Sequence, residues 1–337
     1  MKLDANNGVR HALRQSPRVW LLAAVACALT ALATPGAAQK YPDRPIRMII
    51  PLPPGGVVDI MARLLQPHLE KALGQSIIVD NRPGASGIIG ANAVATAPPD
   101  GYTLLLVPTT FTISAALHPK LPFDPRSAFQ PIALIGRNSL LLLVNPKLPA
   151  KNLQEFVALA KADPGKMNYA TPGASSQAHL LIELWSSQAG IKLQQVPYRG
   201  GAPAIMATVA GETQLTLMSS TIALPQIGSK TLRPLATGGP AREAQLPDVP
   251  TTAEAGFPNF KALQWVGLLT TAGTPKEIVD RLNTEVNRSL NDKGLQAKLA
   301  EQGMSKVGGS PEDFRSLIEA EIAQWRDVAR AAHIEMK

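Results

Sequence analysis

A turn of two prolines and two glycines, Pro53-Pro54-Gly55-Gly56, joins a strand-like segment to an amphipathic segment that carries Asp59. The first N–H groups of a helix have no partner within it, and together with the helix dipole they favour an anion. Glycine lets the backbone approach a ligand closely. The turn therefore predicts a site for a small anion such as a carboxylate, with a tight turn that binds nothing as the alternative. It matches neither G-x-G-x-x-G nor a P-loop, so a nucleotide is not expected.

Two more glycine-rich loops follow apolar segments: RPGASG at 82–87 and TPGASSQAH at 171–179. Ser175 and Ser176 can cap the following helix or donate to a ligand, and capping is the simpler interpretation. In α/β sheets, ligands bind beyond the carboxyl ends of the strands, at loops of this kind. Three such loops together support a ligand site more strongly than any one of them.

Catalysis has little support in the sequence. Ser175 or Ser176 with His179 comes nearest, but these residues lie within one helical turn, no acidic partner is evident and there is no G-x-S-x-G elbow. No H-E-x-x-H, C-x-x-C or close His/Asp cluster supports a metal site. We therefore predict a protein that is not an enzyme, with no catalytic residue, no metal and no cofactor.

Two other residues have open roles. Arg199, in VPYRGG, either faces a cleft and pairs with a carboxylate or lies on the surface beside a turn. Trp265 lies in an apolar strand-like segment, where packing in the core is the more frequent role.

The elements that must position these residues alternate between short apolar strands and amphipathic helices, starting with IRMII at 46–50. A second series begins near residue 132, with PIALIG and LLLLVNP as separate strands, and the chain after 276 is helical. Apolar strands linked by helices predict a mostly parallel α/β sheet covered on both faces. A chain of 337 residues is long enough for two lobes with a cleft between them.

The first 38 residues are typical of a secretory signal peptide. Arg10, Arg14 and Arg18 precede the apolar run VWLLAAVACALTALA, and GAAQ offers a cut after Ala38. A membrane anchor is the alternative, and AVAC around Cys27 is a weak lipoprotein-type pattern. Cleavage after Ala38 would remove Cys27, the one cysteine of the chain. The sequence thus predicts a periplasmic protein without disulfides.

The composition argues against a nucleic-acid partner. The formal net charge of +8 is scattered along the chain, and aromatic residues make up only 4% of it. Nucleic-acid binding normally uses clustered basic residues and aromatic platforms, so it is not expected.

Several blocks resemble one known family. YPDRPIRMIIPLPPGGVVDIMARLL, APPDGYTLLL, NYATPGASSQAHLLIELW and LPDVPTTAEAGFP are similar to the Bug-type receptors, the periplasmic substrate-binding proteins of tripartite tricarboxylate transporters. The similarity extends over essentially the whole mature chain. It implies an α/β, two-lobed type II periplasmic-binding-protein fold, with lobe 1 formed by 39–139 plus 263–337 and lobe 2 by 140–262.

The resemblance also implies a function. A small organic anion, usually a carboxylate, would bind between the lobes and pass to inner-membrane transporter subunits, and the receptor would be a monomer. A receptor that reports to a sensor kinase is the alternative. The residues implied as ligand-binding are Pro53, Pro54, Gly55, Gly56, Asp59, Ala85, Ser86, Gly87, Thr109, Thr110, Thr171, Gly173, Ser175, Ser176, His179, Arg199 and Ser219.

Overall fold

The computed structural model describes residues 41–118, 120–173 and 176–331. The described residues from Arg44 onward form one compact unit. The predicted signal peptide and Cys27 lie outside the described residues, as do Ala174 and Ser175. The strands are β1 (Ile46–Ile50), β2 (Ile77–Asn81), β3 (Thr103–Pro108), β4 (Phe129–Val144), β5 (Asn168–Thr171), β6 (Gln194–Pro197), β7 (Leu215–Ser219), β8 (Arg233–Thr237), β9 (Leu263–Thr271) and β10 (Met304–Gly308).

The helices alternate with these strands over most of the described chain. They are α1 (Val57–Leu73), α2 (Ile88–Ala95), α3 (Thr110–Leu117), α4 (Leu153–Ala162), α5 (Gln177–Ala189), α6 (Gly201–Ala210), α7 (Ser220–Gly228), α8 (Lys276–Leu290), α9 (Lys293–Glu301) and α10 (Pro311–Ala331). A short 3-10 turn, Ala85–Gly87, precedes α2.

The first half of the sheet is built on β1, whose four apolar residues are all buried and whose one exposed residue is Arg47. β1 pairs in parallel with β2 and with β3, in a register that sets Met48 beside Val79 and Leu104. β3 then pairs with β9 in the antiparallel direction. The carboxyl ends of β1 and β3 therefore meet at one edge, where the first two loops and the start of α3 lie.

The second half is built on β5, which pairs in parallel with β6 and β7. β7 and β8 both pair in the antiparallel direction with β4. The sheet is therefore mixed, and our prediction of a mostly parallel sheet was wrong. An apolar strand covered on both faces can pair in either direction, so its composition could not identify the antiparallel β4 and β9.

Strand β4 belongs to both halves. It pairs with β9 and β10 up to Ser139, and with β7 and β8 from Leu140 onward. The prediction of two separate strands, PIALIG and LLLLVNP, was therefore wrong. The polar residues Arg137, Asn138 and Ser139 looked like an interruption, but they mark the place where the strand changes partners.

Helices pack against the sheet, and the buried side chains of the described residues include three apolar cores. One core joins α2, α3 and α10 to the first half of the sheet, with Phe314 and Ile318 from the last helix. Another lies between α6, α7 and the second half, around Met218. The third, around Trp185, also includes Ile113 and Leu117 of α3 and Trp325 of α10. Helix α3 therefore contributes to the cores of both halves.

The C-terminal elements return to the first half, as the terminal helical block suggested. Strand β10 pairs with the first part of β4, α8 packs on α1, and α10 packs on α3. Three elements were not predicted: β10 and the helices α3 and α7. Among the described helices, none has the length and apolar character needed to cross a membrane.

Candidate functional site

The loop between β1 and α1 has the form expected of an anion site. Pro53 and Pro54 have no N–H, and Gly56 is the N-cap of α1 in an extended conformation (φ −85°, ψ 171°). The N–H groups of Gly56, Val57 and Val58 have no acceptor in the part of the chain that the structure describes. These donors and the positive end of a 17-residue helix lie at the same point.

Asp59 holds this loop in place. Its carboxylate accepts hydrogen bonds from the Gly55 N–H, with an N···Oδ2 distance of 3.0 Å, and from Arg63 Nε and Nη2, both at 3.1 Å. Burial by itself raises the pKa of Asp59, but the hydrogen bonds from Arg63, Gly55 and Asn81 outweigh it and lower the pKa below its ordinary value. The Asp59 side chain is therefore occupied, and it acts as a support for the loop.

The two glycines have different roles. Gly55 has the left-handed conformation, with φ +80°, and its N–H is already bound by Asp59. Gly56 has an ordinary negative φ, so its backbone conformation does not require glycine. A Cβ on Gly56 would lie 3.7 Å from the Pro53 carbonyl oxygen, an ordinary contact. The protein itself thus leaves room for a Cβ at residue 56.

The second loop, between β2 and α2, has an unusual backbone. Ala85 and Ser86 have φ values of 45° and 54°, between the left-handed glycines Gly84 and Gly87. Residues other than glycine rarely adopt a positive φ. Backbone strain of this kind is concentrated at functional sites. Gly87 lies close to the turn after β1. A Cβ on it would be only 3.5 Å from Pro51 Cβ.

The third group lies where β3 ends and α3 begins. Thr109 is fixed to β9: its Oγ1 accepts from the Trp265 N–H at 3.0 Å, and its own N–H donates to the Trp265 carbonyl at 3.2 Å. These two hydrogen bonds hold the end of β3 against β9. Thr110 starts α3 and is partly exposed. Its N–H and that of Phe111 have no acceptor among the residues described.

The partly buried carboxylate of Glu321 supports this third group from behind. Glu321 accepts from Thr112 Oγ1 at 2.8 Å, from Trp265 Nε1 at 2.9 Å and from Trp325 Nε1 at 3.4 Å. Burial raises the pKa of Glu321 above its ordinary value despite these donors and the charge of Arg137. Trp265 is 3% exposed, so its predicted place in the core is confirmed. Nothing in the sequence around residue 321 indicated this role.

A narrow cavity shows that the three first-half groups lie together. Ser86, Gly87 and Thr110 line it, along with Pro51 and Leu52 at the end of β1. Ser114 Oγ also donates to the Ser86 carbonyl at 3.4 Å. Strand topology predicted this proximity, because the carboxyl ends of β1 and β3 share one edge.

The polar side chains in the loops of the second half form hydrogen bonds with neighbouring residues of the protein. Thr171 is fully buried, and its Oγ1 donates to the Gly173 carbonyl at 3.1 Å while accepting from Gln195 Nε2 at 2.9 Å. Ser176 is the N-cap of α5, where its Oγ accepts from the His179 N–H at 3.3 Å. The capping interpretation of Ser176 is therefore correct. The imidazole of His179 stacks on the Tyr169 ring with centroids 6.4 Å apart.

The remaining predicted residues lie at strand ends of the second half. Ser219 is the last residue of β7 and is buried, with 4% of its surface exposed. Arg199 follows β6 and is exposed. Among the described residues, no group of three or more His, Cys, Asp or Glu side chains could hold a metal ion.

One contact brings the two halves together at the candidate site. A Cβ on Gly200 would lie 3.8 Å from Cγ of Pro53, so the loop before α6 lies against the loop before α1. Gly200 has φ +118°, a conformation that favours glycine. The starts of α1 and α6 thus lie close to each other, one from each half.

Gln177, the first residue of α5, was not predicted. Its Nε2 donates to the Leu263 carbonyl on β9 at 2.6 Å, which ties the second half to a strand of the first. A glutamine next to a capping serine has no distinctive sequence signal, and only the fold places it beside β9.

The chain matches a known family. The model described as "Tripartite tricarboxylate transporter family receptor" (TctC) matches residues 61–334. Protein BugT of Bordetella pertussis is 37% identical over 312 residues, which cover 92% of this chain and 96% of BugT.

Solved structures are similar over nearly the same range. The Rhodopseudomonas palustris protein Rpa4515, solved with adipate, has a TM-score of 0.84 and 34% identity, and the match covers 88% of this chain and 99% of that one. MatC of the same organism, solved with malate, has a TM-score of 0.80 and 32% identity over 86% of this chain and 99% of MatC. The predicted α/β periplasmic-binding-protein fold is thereby confirmed. The chain belongs to the tripartite tricarboxylate transporter receptor family, whose members are periplasmic solute-binding proteins and not enzymes.

Proposed function

We propose that this protein is an extracytoplasmic receptor that binds a small organic carboxylate between two lobes and delivers it to a tripartite tricarboxylate-type transporter. The observation that carries the proposal is the set of N–H groups at Gly56, Val57 and Val58. They have no acceptor among the described residues and lie in a loop that meets the Gly200 loop of the second half. Backbone donors at a helix start stabilise an anion without any cationic side chain.

We propose the lobes as residues 39–139 plus 263–337 and residues 140–262. The pairing of β4 supports this division, because its partners change between Ser139 and Leu140. The start of β9 at Leu263 supports it as well. The two lobes would then be joined by strands that cross between them, which is the arrangement that permits hinge closure.

Binding of the ligand is expected to favour the closed state of the receptor. A ligand can shift the equilibrium between the open and closed states only by the difference between its binding free energies for the two states. Donors from both lobes contact the ligand together only when the lobes approach each other, so the ligand favours the closed state. Water is excluded at the same time, which strengthens the electrostatic contribution of each donor.

The relatives support a carboxylate as the ligand class. Rpa4515 was solved with adipate and MatC with malate. Adipate and malate are both dicarboxylates. The ligand residues proposed for this chain are those of the loops at 53–56 and 85–87, together with Thr110, Gly173, Ser175, Ser176, His179, Arg199 and Ser219. Asp59, Thr109 and Thr171 support these loops through the hydrogen bonds described above.

Thermal unfolding with a panel of solutes tests the proposal. The panel consists of adipate, malate, citrate, glutamate and benzoate, with cationic amines and neutral sugars as controls. A ligand that binds only the folded state at about 100 times its Kd adds roughly 2.7 kcal/mol to the free energy of unfolding. We expect at least one carboxylate to raise the melting temperature. A rise with amines or sugars and with none of the carboxylates would contradict the proposal.

We also propose that the protein reaches the periplasm through a signal peptide at residues 1–38. The periplasmic location of the family's members supports this. N-terminal sequencing of protein released by osmotic shock should begin at Gln39 or within a few residues of it. Material that begins at Met1 would contradict the proposal.

A further inference from the structure

The side chain of Gln177 carries a buried oxygen atom that has no hydrogen-bond partner in the part of the chain that the structure describes. Gln177 is 4% exposed, and its Nε2 donates to the Leu263 carbonyl at 2.6 Å. Because a carbonyl can only accept, this bond fixes the amide with Oε1 as the remaining acceptor. Buried polar atoms are nearly always hydrogen-bonded, so this oxygen requires a donor.

The Leu263 carbonyl places this amide just beyond the carboxyl end of β3. Thr109, which follows β3, donates its N–H to the Trp265 carbonyl on β9 at 3.2 Å. Carbonyls two residues apart on a strand point to the same edge, so the Leu263 carbonyl also faces the β3 side of β9. β3 itself ends at Pro108. The Gln177 amide therefore lies where ligands bind in α/β sheets, beyond the end of a strand.

The loop that carries Gln177 is also connected to the start of α1. This loop follows β5 and begins at Pro172, whose carbonyl accepts from the Gly200 N–H at 3.1 Å. Gly200 in turn lies against Pro53 in the loop before α1. Only the Gly200 loop thus separates the loop of the unpaired oxygen from the N–H groups proposed to bind the carboxylate.

The chemistry of Oε1 favours a hydroxyl group as its partner. A neutral amide oxygen is satisfied by one donor hydrogen, which a hydroxyl supplies. An ammonium group would bring a full charge to a buried position beside a neutral oxygen, which is unfavourable. An unsubstituted carbon chain would leave Oε1 unpaired, and an unpaired buried acceptor costs more free energy than a typical hydrogen bond contributes.

We propose that Gln177 is a specificity-determining residue whose Oε1 accepts a hydrogen bond from a hydroxyl group of the ligand. The carboxylate of the same ligand binds at the N–H groups of Gly56 and Val57. The receptor therefore prefers hydroxycarboxylates to the corresponding acids without a hydroxyl. This inference rests on the proposed function, because it names the class of carboxylate that the same site selects.

Three matched pairs of acids test this preference by isothermal titration of the mature chain. Malate and succinate differ by one hydroxyl group, as do citrate and tricarballylate, and lactate and propionate. Both enantiomers of malate and of lactate are used, since a fixed acceptor selects one of them. A hydrogen bond in place of an unpaired buried acceptor corresponds to an affinity gain of about fivefold or more. We expect the hydroxylated member of at least one pair to bind at least fivefold more tightly than its partner.

A pair of variants tests whether Gln177 causes the preference. Gln177→Met keeps the length of the side chain and removes the amide oxygen, and Gln188→Met makes the same change at an exposed position on the same helix. We expect the ratio of the two Kd values within the preferred pair to fall at least fivefold in Gln177→Met and to stay within twofold of the parent in Gln188→Met. A general loosening of the site would weaken both acids and leave the ratio unchanged, so a smaller fall overturns the assignment.

A second variant covers the case in which Gln177→Met does not fold. Gln177→Asn keeps an amide but withdraws its oxygen by one methylene group, and the same fall in the ratio is expected. An unchanged ratio in Gln177→Asn then overturns the assignment.

Contrary outcomes separate this inference from the proposed function. Equal or tighter binding of the acids without a hydroxyl overturns the inference and leaves carboxylate binding intact. The same conclusion follows if none of the six acids binds while another carboxylate does. Binding of amines or sugars and of no carboxylate overturns the proposed function and the inference together.

Discussion

At the scale of single residues, the candidate site depends on backbone more than on side chains. The side chains of Asp59, Thr109 and Thr171, three residues expected at the ligand, are engaged in hydrogen bonds within the protein. Gly56, Val57, Thr110 and the exposed Arg199 remain as candidates for direct contact. A site made from backbone donors recognises a carboxylate whatever the rest of the ligand is. The neighbouring side chains must then determine which acid is bound.

Gly56→Val is predicted to abolish ligand binding with little effect on folding. The Cβ that valine adds would lie 3.7 Å from the Pro53 carbonyl oxygen, an ordinary contact. On the proposed function, the new side chain would occupy the space of the ligand's carboxylate. Losing even one hydrogen bond to a charged group reduces the free energy of binding by about 1.5–3 kcal/mol. Isothermal titration with the ligand found by thermal unfolding measures the effect, and circular dichroism melts monitor the fold. Gly228→Val is the control, because a Cβ there has open space and the residue lies at the end of α7. Equal affinities for the two variants would show that the glycine serves the turn alone.

Asp59→Asn is predicted to destabilise the protein at neutral pH but not in strong acid. The hydrogen bonds that lower the pKa of Asp59 stabilise the folded state while the carboxylate is ionised. Its contribution is therefore present above its ordinary pKa of 3.8 and is lost as the pH falls through the lower pKa of the folded state.

Urea unfolding of parent and variant between pH 3 and 7 measures this difference. We expect a loss of about 1.5–3 kcal/mol at pH 7, the range for hydrogen bonds to a charged group, which shrinks as the pH is lowered. Asp327→Asn is the control, since Asp327 is an exposed aspartate that pairs with Arg330 on one helix. A difference between parent and Asp59→Asn that does not change with pH would contradict the prediction.

At the scale of elements, the sequence located most helices and strands but missed α3, which lies beside the site. The eight residues TFTISAAL include two threonines and an isoleucine, which are poor helix formers, and seven of the eight residues are buried. A helix without a polar face has no periodic pattern to detect. The loop at 82–87 was recognised from its glycines, but its left-handed Ala85 and Ser86 were not, because those residues ordinarily avoid that conformation.

Glu321→Gln is predicted to remove a pH dependence of stability that arises from α10. Burial raises the pKa of Glu321, so the folded state holds its proton more tightly than the unfolded chain does. The parent's stability contribution from this group is complete below the ordinary value of 4.5 and is lost as the pH rises through the raised pKa.

Unfolding free energies measured from pH 4 upward test this prediction. Relative to Glu321→Gln, the parent should lose stability as the pH increases. Glu319→Gln, at an exposed position on the same helix, should follow the parent. The hydrogen bonds to Thr112 and Trp265 connect this residue to the start of α3, so we expect Glu321→Gln to weaken ligand binding as well. A parallel pH dependence of parent and Glu321→Gln would contradict the assignment.

At the scale of the whole molecule, the two halves of the sheet share β4 and meet through Pro53 and Gly200. The sequence predicted two α/β series but not the strand that joins them, because the change of partners within β4 depends on contacts distant in sequence. If the halves move as lobes, a bound acid should narrow the distribution of distances between them.

Spin labels on Ile89→Cys and Met206→Cys measure that distribution. Both side chains are exposed, at 56% and 51%, and they lie in different halves. The chain from Gln39 onward has no cysteine, so only the introduced residues react in protein cleaved after Ala38. We expect the distances to become shorter and more uniform when a binding carboxylate is added. The pair Ile78→Cys and Ile89→Cys, both in the first half, should not change. An unchanged distribution for the first pair would contradict closure by the ligand.

The most direct test of the central claim is a crystal structure of the protein with the carboxylate that most raises its melting temperature. We expect a carboxylate oxygen within about 3.2 Å of the N–H nitrogen of Gly56 or Val57. We also expect residues of the Gly200 loop to contact the same ligand from the other half. A ligand bound elsewhere, or one whose carboxylate is held only by side chains, would contradict the claim.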